Sequence, residues 1–324
     1  MSEITTDLFR QTAQRIETEV GQVIVGQTDV VRHVLVSILA GGHVLLEGVP
    51  GLGKTMLIRT LGQALDLKFS RIQFTPDLMP ADILGTEILT DQDGRREFRF
   101  RAGPLFANLV LADEINRATP KTQSALLEAM QEASVTVAQK TYKLDEPFFV
   151  LATQNPLEME GTYPLPEAQL DRFFFKVNVT LPDLADMVEI LDRTTGKETA
   201  SAGKAASGAE IVQMRALART VPVASHVKEY IAKVMLATHP EDANASPLVK
   251  KYVRYGVSPR GGQALMLGAK VTALLAGRYN VAFEDVHAVA PAALRHRLLL
   301  NFDGLAEGIS TDMVIAELLK ALPH

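Results

Sequence analysis

Gly48-Val49-Pro50-Gly51-Leu52-Gly53-Lys54-Thr55 has the spacing G-x-x-x-x-G-K-T. Glycines so placed let successive backbone N–H groups curl around a phosphate, and a helix starting near the lysine adds its positive N-terminal end to the same anion. In that arrangement Lys54 meets the β- and γ-phosphates of ATP and the Thr55 hydroxyl ligates Mg²⁺. Met56 follows directly and is counted with the nucleotide-binding residues. A Gly-rich turn without a ligand would need neither the apolar run before it nor the helical pattern after it.

Leu109-Val110-Leu111-Ala112-Asp113-Glu114 is an apolar strand ending in two carboxylates. Open α/β sheets bind ligands at the carboxyl ends of their strands. There Asp113 would hold Mg²⁺ through its water shell, and Glu114 would orient and polarise the attacking water. Without the loop upstream, an acidic pair at a strand end reads equally well as solvated surface. Phe149–Pro156 is a second apolar strand with a polar end. Its Asn155 could meet the γ-phosphate, but Asn-Pro is first of all a turn dipeptide. Arg172 precedes a strongly apolar strand, where a surface ion pair is the ordinary expectation. Arg260 lies at the start of a helix, where a cation mildly opposes the dipole and so hints at an anionic partner.

These elements imply the frame that positions them. Short apolar runs at 43–46, 68–74, 109–112, 148–152 and 173–179 alternate with helical patterns, notably 6–23, 29–39, 55–65 and 121–132. Strands without polar alternation suit a sheet covered on both faces, so an α/β domain around a mostly parallel sheet is expected. Glu87–Arg101, around Asp93-Gly94, and Ser134–Leu144, turning near Gln139-Lys140, read as inserted hairpins. Thr194–Gly208 is rich in Ala, Gly, Ser and Thr and reads as a mobile linker. From Glu210 onward at least four helices and no strand are expected. The division is therefore 1–193 as the α/β core, 194–209 as the linker and 210–324 as a small all-helical domain.

Composition narrows the chemistry. The chain of 324 residues has no cysteine, which removes disulfides, thiol nucleophiles and cysteine metal sites. Its seven histidines show no metal-ligand spacing, and His33, His43, His226, His239, His287 and His296 read as surface or half-buried residues. The net charge of −5 argues against broad nucleic-acid binding. Met1–Arg10 has no signal-peptide pattern. The longest apolar stretch, Val30–Leu46, is too short and polar to span a bilayer, so no membrane insertion and a cytoplasmic location are expected.

The sequence resembles the MoxR-type AAA+ ATPases. The resemblance rests on Val25-Gly26-Gln27, Gly48–Thr55, Gln73–Asp82, Gly103–Phe106, Leu111–Ala118, Ala152–Pro156, Glu167–Phe173, Ser258–Gly261 and Leu294–Arg297. It implies an AAA+ core with a helical lid, in which Asn155 is sensor 1, Arg172 the arginine finger for a neighbour's ATP and Arg260 sensor 2. Arg117 is a rival for the finger. Val25 and Gly26 match the loop beside the adenine, and the hairpins match the helix-2 insert and pre-sensor-1 hairpin, which face the central pore in related rings. The resemblance further implies a homo-oligomer, most often a hexameric ring, a protein client, a von Willebrand factor A domain partner, and chaperone-like remodelling or maturation of a protein complex. The alternatives are a motor on DNA, supported only by the hairpin tip Gln139–Lys143, a metal-chelatase subunit, and a small-molecule kinase, which would have little use for Glu114 and Arg172.

Overall fold

The structure is a computed structural model that describes residues 4–49, 51–92, 95–156, 161–196 and 200–323. Pro50, the hairpin tip Asp93-Gly94 and 197–199 of the expected linker lie outside the described residues. The first half runs α1 (Thr6–Gly21), α2 (Thr28–Ala40), β1 (Val44–Glu47), α3 (Lys54–Ala64), β2 (Phe69–Gln73) and α4 (Pro80–Leu84). The hairpin β3 (Gly85–Gln92) and β4 (Arg95–Ala102) follows, then β5 (Leu109–Asp113), a 3-10 turn (Ile115–Arg117) and α5 (Pro120–Glu132). A second hairpin, β6 (Ser134–Val137) and β7 (Lys140–Lys143), leads to β8 (Phe149–Gln154), α6 (Glu167–Leu170), β9 (Phe175–Asn178) and α7 (Leu184–Thr195).

Five strands form one parallel sheet in the order β2-β5-β8-β1-β9. Their continuous apolar runs are explained by cover on both faces. Val44 and Leu46 join one hydrophobic cluster and Leu45, between them, joins the other. The first cluster also holds α1–α3 and most of the helical second half, while the second holds α5, the 3-10 turn and the roots of the hairpins. The two hairpins pack on each other through Phe100, stacked on Tyr142 at 4.0 Å.

The second half comprises α8 (Gly208–Thr220), α9 (Ser225–Ala237), α10 (Pro247–Tyr252), β10 (Val253–Tyr255), α11 (Pro259–Leu275), α12 (Phe283–Leu294), β11 (Leu299–Leu300), α13 (Phe302–Ala306) and α14 (Thr311–Ala321). It contains an antiparallel strand pair, β10 with β11, where the sequence suggested none. The stretch read as a mobile linker is pinned over 203–206. Gly203 donates to Glu19, Lys204 pairs with Asp66 at 2.6 Å, and the Ala205 and Ala206 N–H groups both donate to the Ala64 carbonyl. Small residues are what let this backbone lie close against α1 and α3.

His43, expected to be at the surface or half-buried, is buried beside the start of β1. Its Nδ1 accepts the Val150 N–H at 3.0 Å and its Nε2 donates to the Met130 carbonyl at 2.9 Å, which fixes a neutral ring. Burial lowers its pKa to about 4. His296 is also buried and lowered, first by burial and then by Arg297. A histidine lowered in the fold contributes stability that is complete above its unfolded value near 6.5 and is lost as pH falls through its folded value. His43 alone is expected to remove about 3 kcal/mol between pH 6.5 and 4. Urea midpoints at pH 7.5, 5.5 and 4.5 should fall in that order, and a midpoint constant across this range would contradict the assignment.

Candidate nucleotide site

The loop after β1 turns on two glycines with positive φ, Gly51 at +85° and Gly53 at +73°. A Cβ at either would meet nothing within 4 Å, so glycine is required by the backbone and the concave side stays open for a ligand. At Gly48 the constraint is space, because a Cβ would lie 2.7 Å from the Val179 carbonyl oxygen. α3 begins at Lys54 and aims its first N–H groups at the loop. The Lys54 ammonium donates to the carbonyls of Gly48 at 2.5 Å and Val49 at 3.4 Å. Burial pushes its pKa down, against the opposing pull of Asp113, Glu114 and Glu47. An ammonium bonded to loop carbonyls and partly desolvated is poised to exchange those partners for a phosphate. Thr55 is half-buried and Met56 exposed in the first turn of α3.

Leu52 links the loop to Val25-Gly26-Gln27, since its carbonyl accepts the Gln27 side-chain amide at 2.8 Å. Gly26 has φ +69°, and a Cβ there would overlap the Asp186 carboxylate, so α7 packs directly on this turn. Gln27 thus ties the Val25–Gln27 turn to the phosphate loop.

Asp113 and Glu114 leave β5 beside the loop. Glu114 has φ +56°, a left-handed conformation costing about 1–2 kcal/mol for a residue with a Cβ. It holds because the Glu114 N–H donates to Thr153 Oγ1 at 2.8 Å while that hydroxyl donates to Asp113 Oδ1 at 2.7 Å. Arg71 donates to Asp113 Oδ2 at 2.7 and 3.2 Å. Gln73 and Arg117 donate to Glu114 Oε2 at 2.7 and 3.1 Å. Sequence reasoning gave no role to Arg71, Gln73 or Thr153. The available signal was the alternation Phe69, Arg71, Gln73 along one face of a strand registered on β5. Among the described residues no group of three or more acidic or histidine side chains could cage a metal. A hydroxyl and one carboxylate nevertheless suit Mg²⁺, which keeps several waters and takes substrate phosphates as ligands.

Asn155 follows β8 at the same sheet edge and is 5% exposed. The preceding Gln154 carbonyl accepts the Gly48 N–H at 3.4 Å, so the asparagine stands beside the loop.

Arg172 and Arg260 stand elsewhere. The Phe174 N–H donates to the His43 carbonyl at the start of β1, and the Val179 N–H to the Glu47 carbonyl at its end. The five residue steps from Phe174 to Val179 rise about 16 Å. Arg172 is thus at the amino edge of the sheet, where it donates to the Leu127 carbonyl at 3.2 Å beside a cleft of about 420 Å³. Arg260 lies 3.8 Å from Asp171 at that same edge. Asp171 also accepts Ser258 Oγ at 2.9 and 3.1 Å and Arg297 Nε at 2.8 Å. Arg297 is buried and donates onward to the Phe173 and Phe174 carbonyls. Asp171 therefore fastens the helical half to the sheet, so both flanking arginines are held away from the phosphate loop of their own chain.

A parallel sheet in this strand order, with the glycine loop and carboxylate pair at its carboxyl edge and a helical lid, defines an AAA+ ATPase. Residues 43–175 match the family model described as "ATPase family associated with various cellular activities (AAA)", and residues 245–318 match the AAA lid domain. The chain is 45% identical over 315 residues to Chaperone MoxR1 of Mycobacterium tuberculosis, covering 97% of this chain and 83% of that protein. It is 30% identical over 309 residues to Protein MoxR of Methylorubrum extorquens, covering 90% and 89%. A solved structure from Cytophaga hutchinsonii, classed as an ATPase, superposes with a TM-score of 0.92 at 42% identity over 98% of this chain and 96% of that one. The chain belongs to the MoxR family of AAA+ ATPases. Among the described residues no helix is long and apolar enough to cross a membrane.

Proposed function

We propose that the chain hydrolyses Mg-ATP at a site shared between two subunits of a ring, and that hydrolysis drives the remodelling or maturation of a protein complex. The observation that carries this reading is the position of Arg172 and Arg260 at the sheet edge opposite Gly48–Thr55. Arginines held there can meet ATP only across an interface between copies, and a head-to-tail interface that closes generates a ring. In this scheme the loop glycines, Leu52, Gly53, Lys54 and Met56 hold the triphosphate, with Val25 and Gly26 beside the base. Thr55 and Asp113 would hold Mg²⁺, which would supply charge neutralisation to the triphosphate. Glu114 takes the proton of the attacking water, Asn155 orients the γ-phosphate, and Arg172 with Arg260 completes the site from next door. The bonds of Glu114 to Gln73 and Arg117 hold its carboxylate until nucleotide and neighbour arrive.

A hexamer, a cytoplasmic location and a von Willebrand factor A domain partner belong to the same reading through the family resemblance. The exposed Phe98 and Leu89 of the first hairpin offer apolar contacts to a protein client. A DNA motor is not favoured, because Tyr142 stacks on Phe100 and Lys140 pairs with Glu87 at 3.8 Å, so the second hairpin spends its aromatic and one of its lysines on the first. Lys54→Ala should abolish measurable binding of a fluorescent ATP analogue and, with it, ATP-promoted assembly seen by mass photometry. Undiminished affinity would contradict the phosphate-loop assignment.

A further inference from the structure

α7 turns an apolar stripe away from its own chain. Leu184, Val188 and Leu191 repeat at helical spacing on one side of it, all are exposed, and Leu184 reaches 81%. Leu181, just before the helix, extends the stripe and is also exposed. A stripe of this length on a surface helix marks a contact waiting for a partner.

On the arginine side, a groove of about 1010 Å³ runs between α9 and α11, lined by Ile231, Met235, Leu236, Met266 and Leu267. Leu236 is 59% exposed. Gln263 and Leu267 line both this groove and the cleft that holds Arg172 and Arg260. Along α11, Met266 lies six residues from Arg260, about 9 Å at helical rise.

We infer that the α7 stripe of one copy docks into the α9–α11 groove of the next copy, beside the nucleotide that the two share. The inference rests on the shared-site reading above. A head-to-tail contact joins two different faces, and these two flank the site from opposite sides. α7 packs on Gly26 beside the phosphate loop, and the groove adjoins the arginines that must approach it. Both faces are apolar, and their borders carry opposite charge. Asp192 and Glu189 flank the stripe, Glu189 also pairing with Arg193 of its own helix. Arg219 and Lys228 line the groove, and Lys270 donates to the Arg219 carbonyl at 2.9 Å beside them. Burial and then the positive charges of Lys228 and Arg219 push the Lys270 ammonium below its usual value, which marks a basic cluster suited to an acidic border.

The absence of cysteine in the native chain makes a direct test available. A Val188→Cys, Leu236→Cys double variant is treated with a short bismaleimide in the presence of a slowly hydrolysed ATP analogue. A Val188→Cys, Leu305→Cys variant serves as the control, because Leu305 is 68% exposed on α13 and lies outside the groove. The first pair is expected to give a ladder of crosslinked oligomers at least tenfold stronger than the control. Rings seen by mass photometry with no excess ladder would overturn the docking while leaving the shared site intact. No nucleotide-dependent assembly in the unmodified chain would remove the shared site and the docking together.

Discussion

Arg172→Ala is expected to lower ATP turnover by about 10³–10⁵-fold, the range over which an arginine finger acts in well-studied NTPases. Negative charge spreads over the phosphoryl oxygens in the transition state, and a guanidinium can bridge two of them. Lysine lacks that planar fork, so Arg172→Lys should recover little. The affinity of an isolated subunit for ATP should change little, because Arg172 donates to the Leu127 carbonyl at the far edge of the sheet. Steady-state phosphate release, measured beside equilibrium binding, separates the two. Equal losses of binding and turnover in a single subunit would place the arginine in its own site. Arg117 is the competing finger, but it bonds Glu114 within its own chain at 3.1 Å. Its replacement should alter how Glu114 is held.

Glu114→Gln is expected to bind ATP normally and to hydrolyse it about 10²–10⁴-fold more slowly, the usual loss when general-base assistance is removed. The amide has the same shape and can still accept from Gln73 and Arg117, and the backbone N–H bond to Thr153 that holds the left-handed turn is untouched. It cannot accept the water's proton as a carboxylate does. Single-turnover phosphate release in excess enzyme reads the chemical step directly. Hydrolysis at the parent rate would assign the base to another residue.

The parts of this site that could be read in the sequence are the local ones. The phosphate loop is eight consecutive residues whose glycines and lysine have no cheaper explanation. β1, β5 and β8 announce themselves because cover on both faces makes them continuously apolar. What escaped depends on distant partners. β10 and β11 are three and two residues long and pair across more than forty positions, so neither carries a pattern of its own. α7 was not anticipated because its stripe of Leu184, Val188 and Leu191 points away from any core. The segment 203–206 looked unstructured by composition, yet it is ordered by Glu19, Ala64 and Asp66, far back in the chain. His43 looked like an ordinary surface or half-buried histidine until Val150 and Met130 closed on both its nitrogens. The two arginines were visible as residues but not as a pair at the amino edge of the sheet, because Asp171 and Arg297 set that placement.

Mixing two defective variants tests the shared site most directly. Arg172→Ala subunits keep Glu114, and Glu114→Gln subunits keep Arg172. In a ring assembled from equal amounts, about one interface in four pairs an intact glutamate with an intact arginine from next door. The shared site predicts that phosphate release returns to a sizeable fraction of the parent rate on mixing, although each variant alone is nearly inactive. A mixture that forms rings yet releases no more phosphate than its two components would show that Arg172 serves its own subunit, and would contradict the account.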